Sequence, residues 1–304
     1  MTPKIGIAIV APGGFAPDQA GLERAILRLQ EQGCLVHNYY DPAAKFQRFG
    51  GTDGARLAQL TAAAQDPEVE VVMALRGSYG ISRLLPEIDF KAMAASGKLF
   101  VGYSDFTAFQ MGLMAATGAL SFAGPMLYDD FTREQTDDLT MDSFWGCLTG
   151  PTHFVAAASE NNPAVKLDGT LWGGNLAMLT HLLGTPYFPH IEGGILFVED
   201  INEHPYRVER MLLQLLYAGV LGRQKALLLG DISGYRLGAQ ENGYDFDAML
   251  AFLRARLPLP VLTGLPFGHI RSRVTLPFGA HASLESTASR FQLTMRAYPT
   301  LAKR

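Results

Sequence analysis

Ser104 stands between the apolar run Leu99-Phe100-Val101-Gly102-Tyr103 and the segment Asp105-Phe106-Thr107-Ala108. A strand that ends at a serine and enters a helix at once makes a tight turn. Such a turn pushes the hydroxyl clear of the sheet and aims the first free helix N–H groups at whatever the serine attacks. Gly102 leaves space beside the turn. The pattern is close to the Gly-x-Ser-x-Gly elbow of hydrolases, without the second glycine. A serine here is equally a favoured helix cap, so this segment alone leaves both roles open. The loop Leu75-Arg76-Gly77-Ser78-Tyr79-Gly80 follows a Val-rich run and falls on the same sheet edge. Its glycines let backbone N–H groups approach a ligand, and an oxyanion hole needs two such donors. A plain strand-to-helix turn has the same composition.

Glu199 closes a second apolar run, Gly194-Ile195-Leu196-Phe197-Val198. Asp200, Glu203 and His204 follow it, but their spacing matches no metal-ligand pattern, and neither a metal nor a cofactor is expected. Asp200 or Asn202 suits a helix cap. His269 ends Gly264-Leu265-Pro266-Phe267-Gly268-His269, near a strand end. His281 is its rival among seven histidines. Serine first, carboxylate second and histidine last is the order of one large hydrolase class. In that chemistry the imidazole takes the hydroxyl proton as the serine attacks. The carboxylate holds the imidazole tautomer and stabilises its positive charge.

These residues need elements to position them, and the chain supplies them. It has 304 residues, 48% hydrophobic and 18% charged, enough for two packed domains. The net charge of -4 gives no electrostatic case for nucleic acid or an anionic membrane surface. The two cysteines, Cys34 and Cys147, read as small buried hydrophobes, which suits a reducing compartment. Residues 5–11 are apolar but run into Pro12-Gly13-Gly14, so they read as a first buried strand rather than a signal-peptide core. No run approaches the ~18 apolar residues of a membrane span. Strands over 4–11, 35–39, 69–75 and 99–103 alternate with helices after Pro17, over 54–64 and over 106–117. That alternation predicts a parallel sheet covered on both faces, with ligands at the carboxyl ends of its strands. Residues 151–168, which follow Gly150 and carry Pro151 and Ser159-Glu160-Asn161-Asn162-Pro163, read as a linker between domains at 1–150 and 169–304. Beyond it, strands are expected over 195–199, 226–230, 261–264, 273–276, 279–284 and 290–295, with helices over 175–183, 205–218 and 246–256. The last three strands lack intervening helices, so this half is expected to be mixed and partly antiparallel.

Several motifs now stand together, in order from residue 11 to the end. They are Ala11-Pro12-Gly13, Arg48-Phe49-Gly50-Gly51-Thr52, Arg76-Gly77-Ser78-Tyr79-Gly80 and Gly102-Tyr103-Ser104-Asp105-Phe106-Thr107-Ala108 in the first half. Leu171-Trp172-Gly173-Gly174-Asn175-Leu176, the run from Val198 to Arg207, Phe267-Gly268-His269 and Leu276-Pro277 complete the set. With these the chain resembles the LD-carboxypeptidases, of the murein tetrapeptide carboxypeptidase type. The resemblance implies a flavodoxin-like N-terminal domain and a smaller mixed α/β C-terminal domain, with the site across their junction. It implies a metal-independent serine peptidase with Ser104 as nucleophile, Glu199 as triad acid and His269 as base. The backbone N–H groups of Gly77 or Ser78, with that of Asp105, are the implied oxyanion hole. A cytoplasmic homodimer is implied, acting on a muropeptide tetrapeptide and releasing its terminal D-alanine from an L-configured centre.

One departure concerns Ser78, where the resemblance implies glycine; at positive φ a serine is strained. Arg76 is a candidate partner for the D-alanine carboxylate, a structural role at the sheet edge being the alternative. Trp172 and Asn175 could give the peptide an apolar wall and an amide, or could pack between domains; Trp172 is expected to be buried either way. An immunity-type peptidase acting on peptide–nucleotide antibiotics and a non-catalytic ligand-binding module are the alternative functions. A cysteine hydrolase is set aside, because neither cysteine sits at a comparable turn.

Overall fold

The computed structural model describes residues 5–301. Its first half alternates strands and helices: β1 (Gly6–Val10), α1 (Gln19–Glu31), β2 (Leu35–Asn38), α2 (Asp53–Gln65) and β3 (Val71–Ala74). It continues through α3 (Phe90–Ala95), β4 (Leu99–Gly102), α4 (Thr107–Thr117), β5 (Ser121–Ala123) and α5 (Asp138–Thr149). β1, β3 and β4 are buried at every residue. That burial is why they read as unbroken apolar runs rather than alternating ones. Local signals set the helix ends: Asp18 caps α1, Thr52 caps α2, and Gly118 closes α4 in the left-handed region at φ 72°. The five strands pair in parallel in the order 2-1-3-4-5, the flavodoxin-like arrangement.

The second half contains β6 (Thr152–Ala158), β7 (Val165–Asn175), α6 (Leu176–Leu182), β8 (Ile195–Ile201), α7 (Pro205–Tyr217) and β9 (Ala226–Ser233). Then come α8 (Phe246–Arg256), β10 (Val261–Leu262), β11 (Leu276–Phe278), β12 (His281–Thr287) and β13 (Arg290–Arg296). A seven-stranded sheet runs β10-β9-β8-β7-β12-β13-β6, parallel from β10 to β7 and antiparallel from β7 to β6. The mixed character expected from sequence is therefore present.

Two expectations are corrected. Residues 151–168 are not a linker, since they hold β6 and the start of β7 in the second sheet. β6 alternates exposed and buried positions, turning His153 and Val155 inward, the period-2 pattern of a sheet edge. Ser159, Asn161, Asn162 and Pro163 belong to the short turn between the two strands, and Gly150 and Pro151 precede β6. The strand expected over 273–276 instead begins at Leu276, and β11 pairs antiparallel with β5 in the first sheet. The chain thus returns to the nucleophile sheet after completing most of the second one. Residue 4, expected at the start of the first strand, lies outside the described residues. Both cysteines are buried and free. Among the described residues, no helix is long and apolar enough to cross a membrane.

Candidate active site

Ser104 leaves the carboxyl end of β4 and opens a single 3-10 turn, Ser104–Phe106, that leads into α4. Its φ is 62°, left-handed for a non-glycine residue. That conformation costs about 1–2 kcal/mol and turns the hydroxyl out of the strand direction. Gly102 makes room for the turn: a Cβ there would stand 2.7 Å from the Phe106 ring and 3.0 Å from the Ala74 Cβ.

Glu199 lies on β8, where the pairing with β9 shifts register between Val198 and Asp200. It is fully buried. His269 sits on the loop between β10 and β11. The structure brings all three residues together. His269 Nε2 is 3.1 Å from Ser104 Oγ, and its Nδ1 is 2.7 Å from Glu199 Oε2. Burial works against charging His269, but the hydrogen bond and charge of Glu199 outweigh it and lift the imidazole above its ordinary range. His281, the rival, is exposed on β12 near Asp168, away from this group.

Asn175, at the end of β7, holds Glu199 in place. Its Nδ2 donates to Glu199 Oε1 at 3.1 Å and to Asp200 Oδ1 at 3.2 Å. Its Oδ1 accepts from Met178 N–H and so caps α6. Its own N–H donates to Thr107 Oγ1 at 3.1 Å, joining β7 to the nucleophile helix α4. Asn175 was a candidate substrate contact; the structure spends its amide on Glu199 and Asp200 instead. Burial, and then the Glu199 charge, push the Asp200 carboxyl up to about 6.

The 76–80 loop abuts the nucleophile. A Cβ on Gly77 would lie 2.8 Å from Ser104 Oγ, so only glycine allows this approach. Ser78 has φ 65°, the left-handed conformation that the expected glycine would favour. Its Oγ accepts from Arg48 at 3.0 Å. Asp105 does more than lend a backbone N–H to the turn. Its carboxylate Oδ2 accepts from Ile81 N–H at 2.9 Å and so ties the 76–81 loop to the nucleophile turn. Burial pushes that carboxyl up to about 7. Arg76 is half-buried; its Nη1 donates to Phe15 O at 3.3 Å and its guanidinium lies 5.8 Å from the Tyr128 ring centre. Trp172 is buried, as expected, but it does not reach the site. Its indole N–H donates to Gln224 and its ring meets Phe188 edge-on. A cavity of about 340 Å³ is lined by Gly230, Asp231, Phe246, Leu265 and Ile270, none of them Ser104, Glu199 or His269.

The family model for the LD-carboxypeptidase N-terminal domain matches residues 7–124, and that for the C-terminal domain matches residues 168–284. This chain belongs to the LD-carboxypeptidase family. Ser104 falls in the N-terminal match; Glu199 and His269 fall in the C-terminal one. The chain is 54% identical to the muramoyltetrapeptide carboxypeptidase from Oxalobacter formigenes, with a TM-score of 0.94 over 97% of this chain and 100% of that one. It is 29% identical to the murein tetrapeptide carboxypeptidase of Pseudomonas aeruginosa, over 94% of each chain. It is also 27% identical to the microcin C7 self-immunity protein of Escherichia coli, over 89% of this chain and 87% of that protein. Family membership makes the chain a hydrolase of the carboxypeptidase class.

Two residues that shape this site were not readable as such from sequence. The Asp105 side chain was hidden behind the role expected of its backbone. Arg273, buried behind Tyr103, reads in sequence only as the first residue of the strand expected over 273–276.

Proposed function

We propose that this chain is a serine-type LD-carboxypeptidase that releases the terminal D-alanine of a muropeptide tetrapeptide by attack on the carbonyl carbon that joins it to an L-configured residue. The observation that carries the reading is the continuous chain Ser104 Oγ, His269, Glu199, at 3.1 Å and 2.7 Å. His269 Nε2 accepts the Ser104 proton as Oγ adds to the carbonyl carbon. Buried Glu199 holds Nδ1 protonated and stabilises the imidazolium. The protonated His269 then gives its proton to the departing D-alanine amine, leaving an acyl-enzyme on Ser104. Water, deprotonated by His269, releases the acyl group.

The oxyanion falls to backbone N–H groups of the 77–78 loop and of Asp105. Gly14 N–H donates to Gly77 O at 2.9 Å. Because a trans peptide sets N–H opposite C=O, the Ser78 N–H then points away from Gly14. Arg76, at the sheet edge near Ser104, is the candidate partner for the D-alanine carboxylate. Recycling of cell-wall peptides in the cytoplasm, by a homodimer, follows from the same reading; light scattering of the purified protein tests the dimer.

Incubation with muropeptide tetrapeptide should release D-alanine and tripeptide, and Ser104→Ala should abolish the release with substrate binding retained. Turnover surviving in Ser104→Ala would overturn the serine mechanism. Kinship with the microcin self-immunity protein supports a second reading, a peptidase acting on peptide–nucleotide conjugates. Preferential cleavage of an aminoacyl-nucleotide mimic over the tetrapeptide would favour it.

A further inference from the structure

Arg273 is a buried cation to which the serine mechanism gives no role. Arg273 is 2% exposed and lies on the loop that carries His269. Its Nε donates to the Ile270 carbonyl at 3.1 Å, and one terminal nitrogen reaches the same oxygen. That carbonyl belongs to the residue directly after His269. The other terminal nitrogen pairs with Asp130 Oδ2 at 3.4 Å. Asp130 sits in the π-helical turn Leu127–Phe131 after β5, where its Oδ2 also accepts from Met126 N–H at 3.0 Å. The guanidinium carbon stands 4.3 Å from the Tyr103 ring centre. Tyr103 directly precedes Ser104, and its ring meets that of His269 at 5.1 Å. One side chain therefore touches the backbone beside the base, the residue before the nucleophile, and a carboxylate anchored in the nucleophile sheet.

We infer that Arg273 is a positioning residue, which locks the His269 loop onto the nucleophile sheet and so sets the His269–Ser104 separation. A buried ion pair is weak evidence of a stabilising role, since well-packed apolar residues often replace one at no loss of stability. The planar fork explains the choice of arginine better. It binds one carbonyl through two nitrogens, stacks on a ring and pairs with a carboxylate at the same time, which an ammonium cannot do. Asp129 adds negative charge on the same turn. The groups facing His269 are Glu199 from β8, Ser104 and Tyr103 from the end of β4, Asp129 from the turn after β5, and Arg273 from its own loop. Asp231 on β9 lies against neighbouring Gly268. Of these, Arg273 is the cation, and its charge favours neutral imidazole.

The inference rests on the serine reading, and the experiment separates the two. Arg273→Met with Asp130→Leu removes the fork without leaving a lone buried carboxylate; Arg273→Lys keeps the charge but not the fork. In the double variant kcat should fall about 10- to 100-fold, with KM within about twofold of the parent, and the acid limb of the kcat/KM profile should move to higher pH. Arg273→Lys should lose part of kcat and keep the acid limb in place. A folded double variant with parental kcat and an unmoved acid limb overturns the inference, as does a rise in KM at constant kcat. Those results with Ser104→Ala inactive would leave the serine mechanism standing; an active Ser104→Ala would remove both.

Discussion

Asn175→Ala tests whether this residue serves the acid or the substrate. The substitution removes two things. The N-cap of α6 disappears, worth about 1 kcal/mol. The amide donor shared by Glu199 and Asp200 goes too, and a hydrogen bond to a charged group contributes about 1.5–3 kcal/mol. Two buried carboxylates on adjacent residues are then left without the N–H groups between them. The expected loss of stability is about 3–4 kcal/mol. It should appear as a lower urea midpoint at unchanged m-value. Asn175→Ser keeps an oxygen for the cap but no amide donor, so it should recover about 1 kcal/mol of that loss and none of the lost activity. In both variants kcat for D-alanine release should fall, because Glu199 loses the partner that fixes its second oxygen. If Asn175→Ala keeps its urea midpoint and kcat while KM rises, the amide binds substrate and the assignment to Glu199 is wrong.

Other outcomes follow from the same geometry. The general base must be neutral, and His269 is held above its ordinary range by Glu199 despite burial, so kcat/KM should rise with pH through an apparent pKa above the free histidine value. A profile flat across that region would remove His269 as the base. The carboxyls of Asp105, at about 7, and Asp200, at about 6, bind protons more tightly when folded. Between the free aspartate range and those values the folded state holds more protons, so stability should fall as pH rises from about 4 to about 7. Urea titrations at several pH values give the slope, and Asp105→Asn should flatten it. Ser78→Gly relieves a left-handed serine, a gain of about 1–2 kcal/mol, against about 0.4–1 kcal/mol of added unfolded-state entropy. The net gain of roughly 0.5 kcal/mol is measurable by urea unfolding, and a destabilised variant would show that the Arg48 contact outweighs the strain.

The sequence was most readable where one local rule decides the structure. Buried strands such as β3 and β4 are short apolar runs, and glycine or an Asx/Thr cap marks the helix ends. Ser104 was readable because it directly follows β4, Glu199 because it ends the apolar run 194–198, and all three because serine, carboxylate and histidine come in a hydrolase order. Residues 151–168 read as a linker because the turn residues at 150–151 and 159–163 mask two strands of alternating burial. β11 was displaced because its partner, β5, comes from the other half of the chain. The harder failures share one cause. Asn175 could be read as a substrate amide, since nothing local shows that its two N–H groups meet carboxylates on the neighbouring strand. Arg273 looked unremarkable because its partners, Tyr103 and Asp130, stand more than a hundred residues earlier. Asp105 showed its backbone role and hid its side chain, which reaches a loop on another strand. Local sequence therefore offers candidates for the reacting residues. The residues that hold them at reacting distance act across the two sheets, and their types become intelligible only once those sheets are joined. That division explains why the nucleophile, acid and base could be proposed from order and spacing, while the groups that set their geometry could not.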